Sequence, residues 1–375
     1  MNSIKFALLS FRKNSVSLII VILELAALLF IENYTVCTIK ERGMLNSPYS
    51  GIMTENCAFV FDSDRMMKMA YENITEQEAQ TKLLEGISGD YTVYDIMSYP
   101  SSELAIISVS DEIYSKLTMP LSLGKYGTAV GTSDMVVGNK TVLFNDGTHI
   151  SIDISGILTT QTYIPCMNLG LSSGGTISDF YNPVINAKNT IITNRSSVIG
   201  YEENFTPDMG FLISFQSDFE KNMRLLQSRA MVTPAAAIAK NSEEALNADI
   251  NTFVPLIIIV MATILIGITC ISLIAWQENK RRNGVLWLCG FSRMKIVVIH
   301  GVEIILQMIL SLTVSIAVFE TLKAAGNEYI VGMQLSLENL AVIILTFAVI
   351  LIFALIFPIL ASLNTSPVQY ISRCE

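Results

Sequence analysis

Apolar positions in this chain gather into one run near the start and three near the end, with mixed apolar and polar positions between them. Residues 253–275 hold 23 consecutive positions without a formal charge. As a helix that run is about 35 Å long, enough to cover the roughly 30 Å hydrocarbon core of a bilayer. Residues 296–319 carry Glu303 as their one formal charge, and residues 340–360 carry none. Each run predicts a spanning helix. A shorter run, Val16 to Ile31, has Glu24 near its middle, and Tyr34 to Val36 extend it by a turn. Lys5, Arg12 and Lys13 precede it as they would a signal peptide, but the following ENYTVC lacks an A-x-A cleavage pattern. It is read as a retained helix, which makes four spans and places both termini on one side.

Between the first and second spans the pattern changes to that of a folded domain. Helical periodicity covers 76–86, and Thr75 with Glu78 three residues on has the spacing of a capping box. Strand patterns cover 91–96, 104–108, 141–144, 149–158 and 189–193, with Asn145, Asp146 and Gly147 as the hairpin signal between two of them. A second helix is expected over 218–229, with Phe219, Met223 and Leu226 near one face. The glycine- and serine-rich stretch from Leu169 to Ser178 reads as a loop or an insertion between lobes. The expected fold is a membrane α-helical bundle of four transmembrane helices with a large α+β extracytoplasmic domain, in one lobe or two, inserted between helices 1 and 2. Its divisions are 1–36, 37–250 and 251–375, with a cytoplasmic segment at 277–293.

Charge sharpens this picture. Charged residues make up 15% of the chain, against roughly 25% in ordinary globular proteins. The net charge of −9 averages two regions, because residues 32–252 hold 26 Asp plus Glu against 14 Lys plus Arg, a net of −12. The link after the second span holds Lys280, Arg281, Arg282, Arg293 and Lys295 against Glu278. Short basic links stay in the cytoplasm, so the acidic domain is placed outside. A basic face for nucleic acid is missing. No G-x-x-x-x-G-K-[ST] loop is present, so this chain encodes no nucleotide-hydrolysing domain of that type. His149 and His300, the two histidines, fall on opposite sides of the second span and cannot share a zinc centre. Cys37, Cys57 and Cys166 lie outside as a bridge plus a free thiol or as three thiols. No constellation supports a catalytic site or a bound metal or cofactor.

Two polar features remain. Within the third span His300, Glu303 and Gln307 are three and four residues apart and share a helix face, and Glu24 of the first span is a candidate to meet them. Ionisable groups at that depth turn toward protein or water, either to carry protons or ions or to fix helix packing. The segment 277–293, QENKRRNGVLWLCGFSR, begins basic and continues with Val285, Leu286, Trp287 and Leu288 before Gly290. It reads as an amphipathic helix at the cytoplasmic membrane face, with or without a protein partner.

These segments resemble the permease subunits of the MacB-like, or FtsX-like, superfamily of ABC transporters. Gly284, Leu286, Gly290, Ser292 and Arg293 keep the pattern of that family's signature after its second helix, with Val285 a conservative match, and Glu303 stands where the family carries a glutamate early in helix three. Pro358 and Pro367, nine apart, with Val368 following, resemble its C-terminal motif. Arg282 occupies the family's acidic position, and Asn364, Thr365 and Gln369 also depart from it. The resemblance implies a permease that binds no cofactor itself, paired with a second copy or a homologous permease on a cytoplasmic ABC ATPase dimer carrying ATP and Mg. It implies docking at Arg281, Arg282, Asn283, Gly284, Val285, Leu286, Trp287, Leu288, Gly290, Ser292 and Arg293. The work performed is export or extrusion of a peptide, lipid-linked or hydrophobic substrate. The alternative is a signalling protein that activates a cell-wall hydrolase or senses antimicrobial peptides, through an extracytoplasmic peptide or lipoprotein partner.

Overall fold

The computed structural model describes residues 15–100, 104–168, 175–186, 188–326 and 335–364. Lys5, Arg12, Lys13, Pro367 and Val368 lie outside the described residues, as does most of the glycine- and serine-rich stretch that begins at Leu169. The principal helices are α1 (Ser15–Asn46), α2 (Ala235–Glu278), the short α3 (Lys280–Leu288), α4 (Arg293–Ala324) and α5 (Leu337–Asn364). All but α3 are long and apolar enough to cross a membrane. A large α+β domain stands between α1 and α2, so the chain is a multi-pass membrane protein with an extracytoplasmic domain. The described residues form two compact units, one built from α1 up to Thr38, α2 from Ile250, α3, α4 and α5, the other from Ile39–Asp249.

In the helical unit, Val21, Leu25 and Leu28 of α1 pack with Ile264 and Ile268 of α2, Ile304 and Met308 of α4, and Ile350 and Ala354 of α5. Outward positions such as Ile258, Ile259, Ile344 and Leu345 are also apolar, as lipid-facing positions must be. Two pairs of polar side chains meet between α1 and α5. Thr346 of α5 donates to Glu32 of α1 at 2.9 Å, and Asn339 donates to the Asn33 side chain at 3.2 Å. Pairing of this kind keeps polar groups satisfied where water is absent.

The outer unit holds two main sheets. An antiparallel four-stranded sheet runs Met231–Pro234, Cys57–Phe61, Gly210–Phe215, Tyr91–Tyr94. Ala58, Val60, Phe211 and Ile213 on one of its faces pack against Leu83 of the helix Glu76–Leu84 and against Met223 and Leu226 of the helix Phe219–Gln227. The expected capping box is present, with Thr75 and Glu78 bonded reciprocally. A larger eight-stranded sheet is mixed, with Thr190–Asn194 parallel to Ala105–Val109. Its longest strand, His149–Leu158, alternates exposed and buried positions, so Ile150, Ile152 and Ile154 enter the core while His149 stays exposed. Gly138–Leu143 pairs back onto it through a turn in which Gly147 takes φ +85. Cys57 and Cys166 are buried thiols.

One expected strand is two. Residues 91–96 break at Asp95, whose amide donates to Ser110 Oγ at 2.9 Å and whose carboxylate pairs with Arg195. Tyr91–Tyr94 therefore joins the first sheet and Ile96–Pro100 the second. The outer core also takes in helix ends: Leu45 from α1 and Ala235 and Ile238 from α2 are buried in it, and Arg42 pairs with Asp249 at 2.7 Å.

A buried clamp closes the edge between these sheets. Arg65 is 1% exposed, and its Nη1 donates to the carbonyls of Pro207 at 3.0 Å and Asp208 at 2.7 Å. The Asp208 carboxylate accepts from the Met167 amide at 2.6 Å and from Asn168 Nδ2 at 3.1 Å. Burial raises this carboxyl from its ordinary 3.8 to about 6, against the opposing pull of those donors and Arg65. The folded protein thus holds the proton more tightly than the unfolded chain does, so the stabilising contribution is complete below about 4 and lost as pH rises through about 6. Asp208→Asn cannot ionise and should remove this dependence. The outer-domain melting temperature of the natural protein, relative to the variant, should fall by several degrees between pH 4 and pH 7; a constant difference would mean that the carboxyl is ionised throughout.

Candidate functional site

The segment 277–293 is not one amphipathic helix. α2 continues to Glu278, the chain breaks at Asn279, α3 occupies nine residues, and α4 starts at Arg293. Gly290 makes the second break. Its φ is +89, its amide donates to the Trp287 carbonyl at 3.0 Å, and the Phe291 amide donates to the Leu286 carbonyl at 3.1 Å. That pair of bonds is a Schellman motif, which satisfies the last carbonyls of α3 and requires a left-handed residue. A Cβ added to Gly290 would meet nothing within 4 Å, so the glycine answers a need of backbone conformation and not of room. Ser292 then caps α4 by accepting from the Lys295 amide at 3.3 Å.

The turn sorts the signature residues into two groups. Asn283 and Gly284 are buried, and Arg282, Leu286 and Trp287 are half-buried. Val285 is 51% and Leu288 68% exposed, and Arg281, Gly290, Ser292 and Arg293 are exposed beside them. The Arg293 guanidinium lies 4.6 Å from the Trp287 ring centre, and its Nη1 donates to the Leu363 carbonyl near the end of α5 at 3.2 Å. Trp276, Ile296 and Val297 form a core against Leu286, Trp287, Phe291, Leu355, Ile359 and Ala361. Sequence segments some seventy residues apart, about 280–295 and 355–363, therefore meet at one end of the bundle.

Behind this turn lies a polar line. His300 Nδ1 faces Glu303 Oε2 at 3.3 Å, and Glu303 Oε1 accepts from Arg282 Nη2 at 3.5 Å. His300 Nε2 lies 2.9 Å from Ser272 Oγ of α2, and that hydroxyl donates to the Ala354 carbonyl of α5 at 2.7 Å. The order Ser, His, Glu is that of a hydrolytic triad, but the Ser272 hydroxyl is committed to a main-chain carbonyl and the residue is 4% exposed. The arrangement is a clamp between helices. Gln307 is half-buried one turn further along, where its carbonyl accepts from Ser311. Glu24 is exposed, with its carboxylate beside Gly267 of α2, and is not joined to His300 or Glu303 by any bond among the described residues. Sequence reading missed Ser272, Glu32 and Thr346. A hydroxyl inside an uncharged run is inconspicuous, yet Pro358 carried a signal: a proline in a helix leaves the carbonyl four residues earlier without its donor.

Bundle, inserted domain and capped turn together define a multi-pass membrane protein with an extracytoplasmic domain and a short helix closed by a Schellman turn between its second and third spans. Two solved structures resemble part of this chain. The periplasmic region of MacB from Actinobacillus actinomycetemcomitans matches over 52% of this chain and 95% of its own, with 12% identity and a TM-score of 0.25. The extracellular domain of the noncanonic ABC-type transporter YknZ from Gram-positive bacteria matches over 47% of this chain and 98% of its own, with 11% identity and a TM-score of 0.22. No family model and no curated protein matches the chain.

The Schellman turn makes a ranked prediction. At Gly290, Asn should be tolerated better than Ala, and Ala better than Val, because the left-handed conformation costs an ordinary residue about 1–2 kcal/mol and Asn less. Ser292→Ala should cost about 1 kcal/mol through the lost cap. Thermal melts of the purified full chain measure both; equal tolerance of Val and Asn at position 290 would contradict the assigned geometry.

Proposed function

We propose that this chain is the permease subunit of an ATP-driven ABC transporter complex. A separate cytoplasmic ABC ATPase dimer, carrying ATP and Mg, docks on α3 and the turn after it. A second permease, identical or homologous, completes the assembly. Hydrolysis in the ATPase moves the bundle and, through it, the extracytoplasmic domain, for export or extrusion of a peptide, lipid-linked or hydrophobic substrate.

The observation that carries this reading is the exposure of Val285 and Leu288 on a short helix that ends in a Schellman turn and whose Asn283, Gly284, Leu286 and Trp287 are buried or half-buried. Two apolar side chains held clear of the bundle, flanked by Arg281 and Arg293, suit a docking knob with an apolar centre and a charged rim. α3 is joined to α2 on one side and α4 on the other, so displacement of the knob acts on both spans. A flexible loop would absorb such a displacement. The resemblance of 280–295, Glu303 and Pro358 to the MacB-like permeases supports the same assignment of partner.

Native purification of the full chain with its co-expressed ABC ATPase tests the proposal. The complex should hydrolyse ATP in a manner that depends on this chain. Replacing Val285 and Leu288 together with Glu should reduce capture of the ATPase about tenfold or more, as loss of a central apolar anchor does at other interfaces. Both side chains are exposed, so the melting temperature of the chain alone should hardly change. Capture at the natural level by the double variant would refute the docking surface.

A further inference from the structure

Pro358 lies inside α5, and proline has no amide hydrogen to give to the carbonyl of residue 354. An unpaired carbonyl buried in the bundle is costly. The Ser272 hydroxyl of α2 donates to that same carbonyl, of Ala354, at 2.7 Å. From Ser272 the line continues to His300 at 2.9 Å, from His300 to Glu303 at 3.3 Å, and from Glu303 to Arg282 of α3 at 3.5 Å. Ser272, His300 and Glu303 are 4%, 8% and 5% exposed, so water has little access to replace a lost member.

We propose that these groups form one positioning relay, in which Pro358 frees the Ala354 carbonyl and thereby sets, through Ser272, His300 and Glu303, where Arg282 holds α3. The relay rests on the reading of α3 as the docking element. Within it the C-terminal proline offers a carbonyl to another helix, which is a physical reason for a proline at that position. The relay also accounts for Arg282, because a carboxylate there would face Glu303 with like charge.

Counting hydrogens adds a condition. Ser272 has one hydroxyl hydrogen, and the Ala354 carbonyl can only accept. With that hydrogen on Ala354, the bond between Ser272 and His300 uses a hydrogen on Nε2. The contact between Nδ1 and Glu303 then needs one further proton, carried by the histidine or by the carboxyl. Among the described residues, the charged groups bearing on His300 are Glu303 from its own helix and, through Glu303, Arg282 from α3; α2 contributes Ser272 and the Trp276 ring at 6.2 Å, and α5 the Ala354 carbonyl.

Deuterium uptake of residues 280–288 tests the relay in the purified full chain without any ATPase. Ser272→Ala, Glu303→Gln and Pro358→Ala should each raise uptake there by about three- to tenfold. The double variant of Ser272 and Glu303 should exceed neither single by much, because both cut one line. Adding Pro358→Ala to Ser272→Ala should recover thermal stability, since residue 358 then donates to Ala354 within its own helix, while leaving 280–288 unprotected. Additive effects, or unchanged uptake at 280–288 in Ser272→Ala, would overturn the relay. Failure of the docking reading would appear elsewhere, as absence of ATPase capture by the unaltered chain.

Discussion

One missing hydrogen organises the cytoplasmic end of this molecule. Pro358 cannot donate to the Ala354 carbonyl, and at the depth of a lipid bilayer that carbonyl must find its partner in protein. The partner comes from α2, whose Ser272 is in turn bonded to His300 of α4. Three spans are thus held at one point by bonds to which water has little access, beside the apolar core of Trp276, Ile296 and Val297. Apolar packing alone is a weak guide to register in lipid, because tails outside the bundle are as apolar as the residues inside it. Directed polar contacts supply the register.

The same economy appears in α3. Its carbonyl end is satisfied by the turn at Gly290, the next helix is capped by Ser292, and Arg293 reaches the Leu363 carbonyl of α5. These termini have their partners, so the element keeps its shape while presenting Val285 and Leu288 outward. Under the proposed docking, a knob held on anchored helices would pass a displacement to both spans, with Arg281 and Arg293 around its apolar centre.

Much of this architecture was legible in the sequence. Uncharged runs mark α2 and α5, a nearly uncharged one marks α4, and alternation over its first six residues marks His149–Leu158, because each pattern reflects one local periodicity. Thr75 and Glu78 announce their helix for the same local reason. What escaped depends on distant partners. The break at Asp95 needs Ser110 and Arg195, and the inward turn of Arg282 needs Glu303. The segment 277–293 looked like one helix because a basic start followed by the apolar cluster Val285–Leu288 suits a single amphipathic stretch, whereas the chain breaks at Asn279 and the left-handed backbone at Gly290 with the cap at Ser292 separates α3 from α4. Glu24, a polar group in a span, suggested an inward contact, yet it is exposed beside Gly267.

The proposed coupling depends on α3 being the surface that meets an ATPase, and a photoreactive amino acid placed at Leu288 in the full chain tests this in native membranes. The side chain is 68% exposed at the tip of the helix, so substitution there leaves the packing intact. Irradiation should give a single dominant adduct containing an ABC ATPase, and the yield should drop when Val285 is changed to Glu in the same chain. Adducts with lipid alone, or with an unrelated protein at undiminished yield in the Val285 variant, would contradict docking at α3.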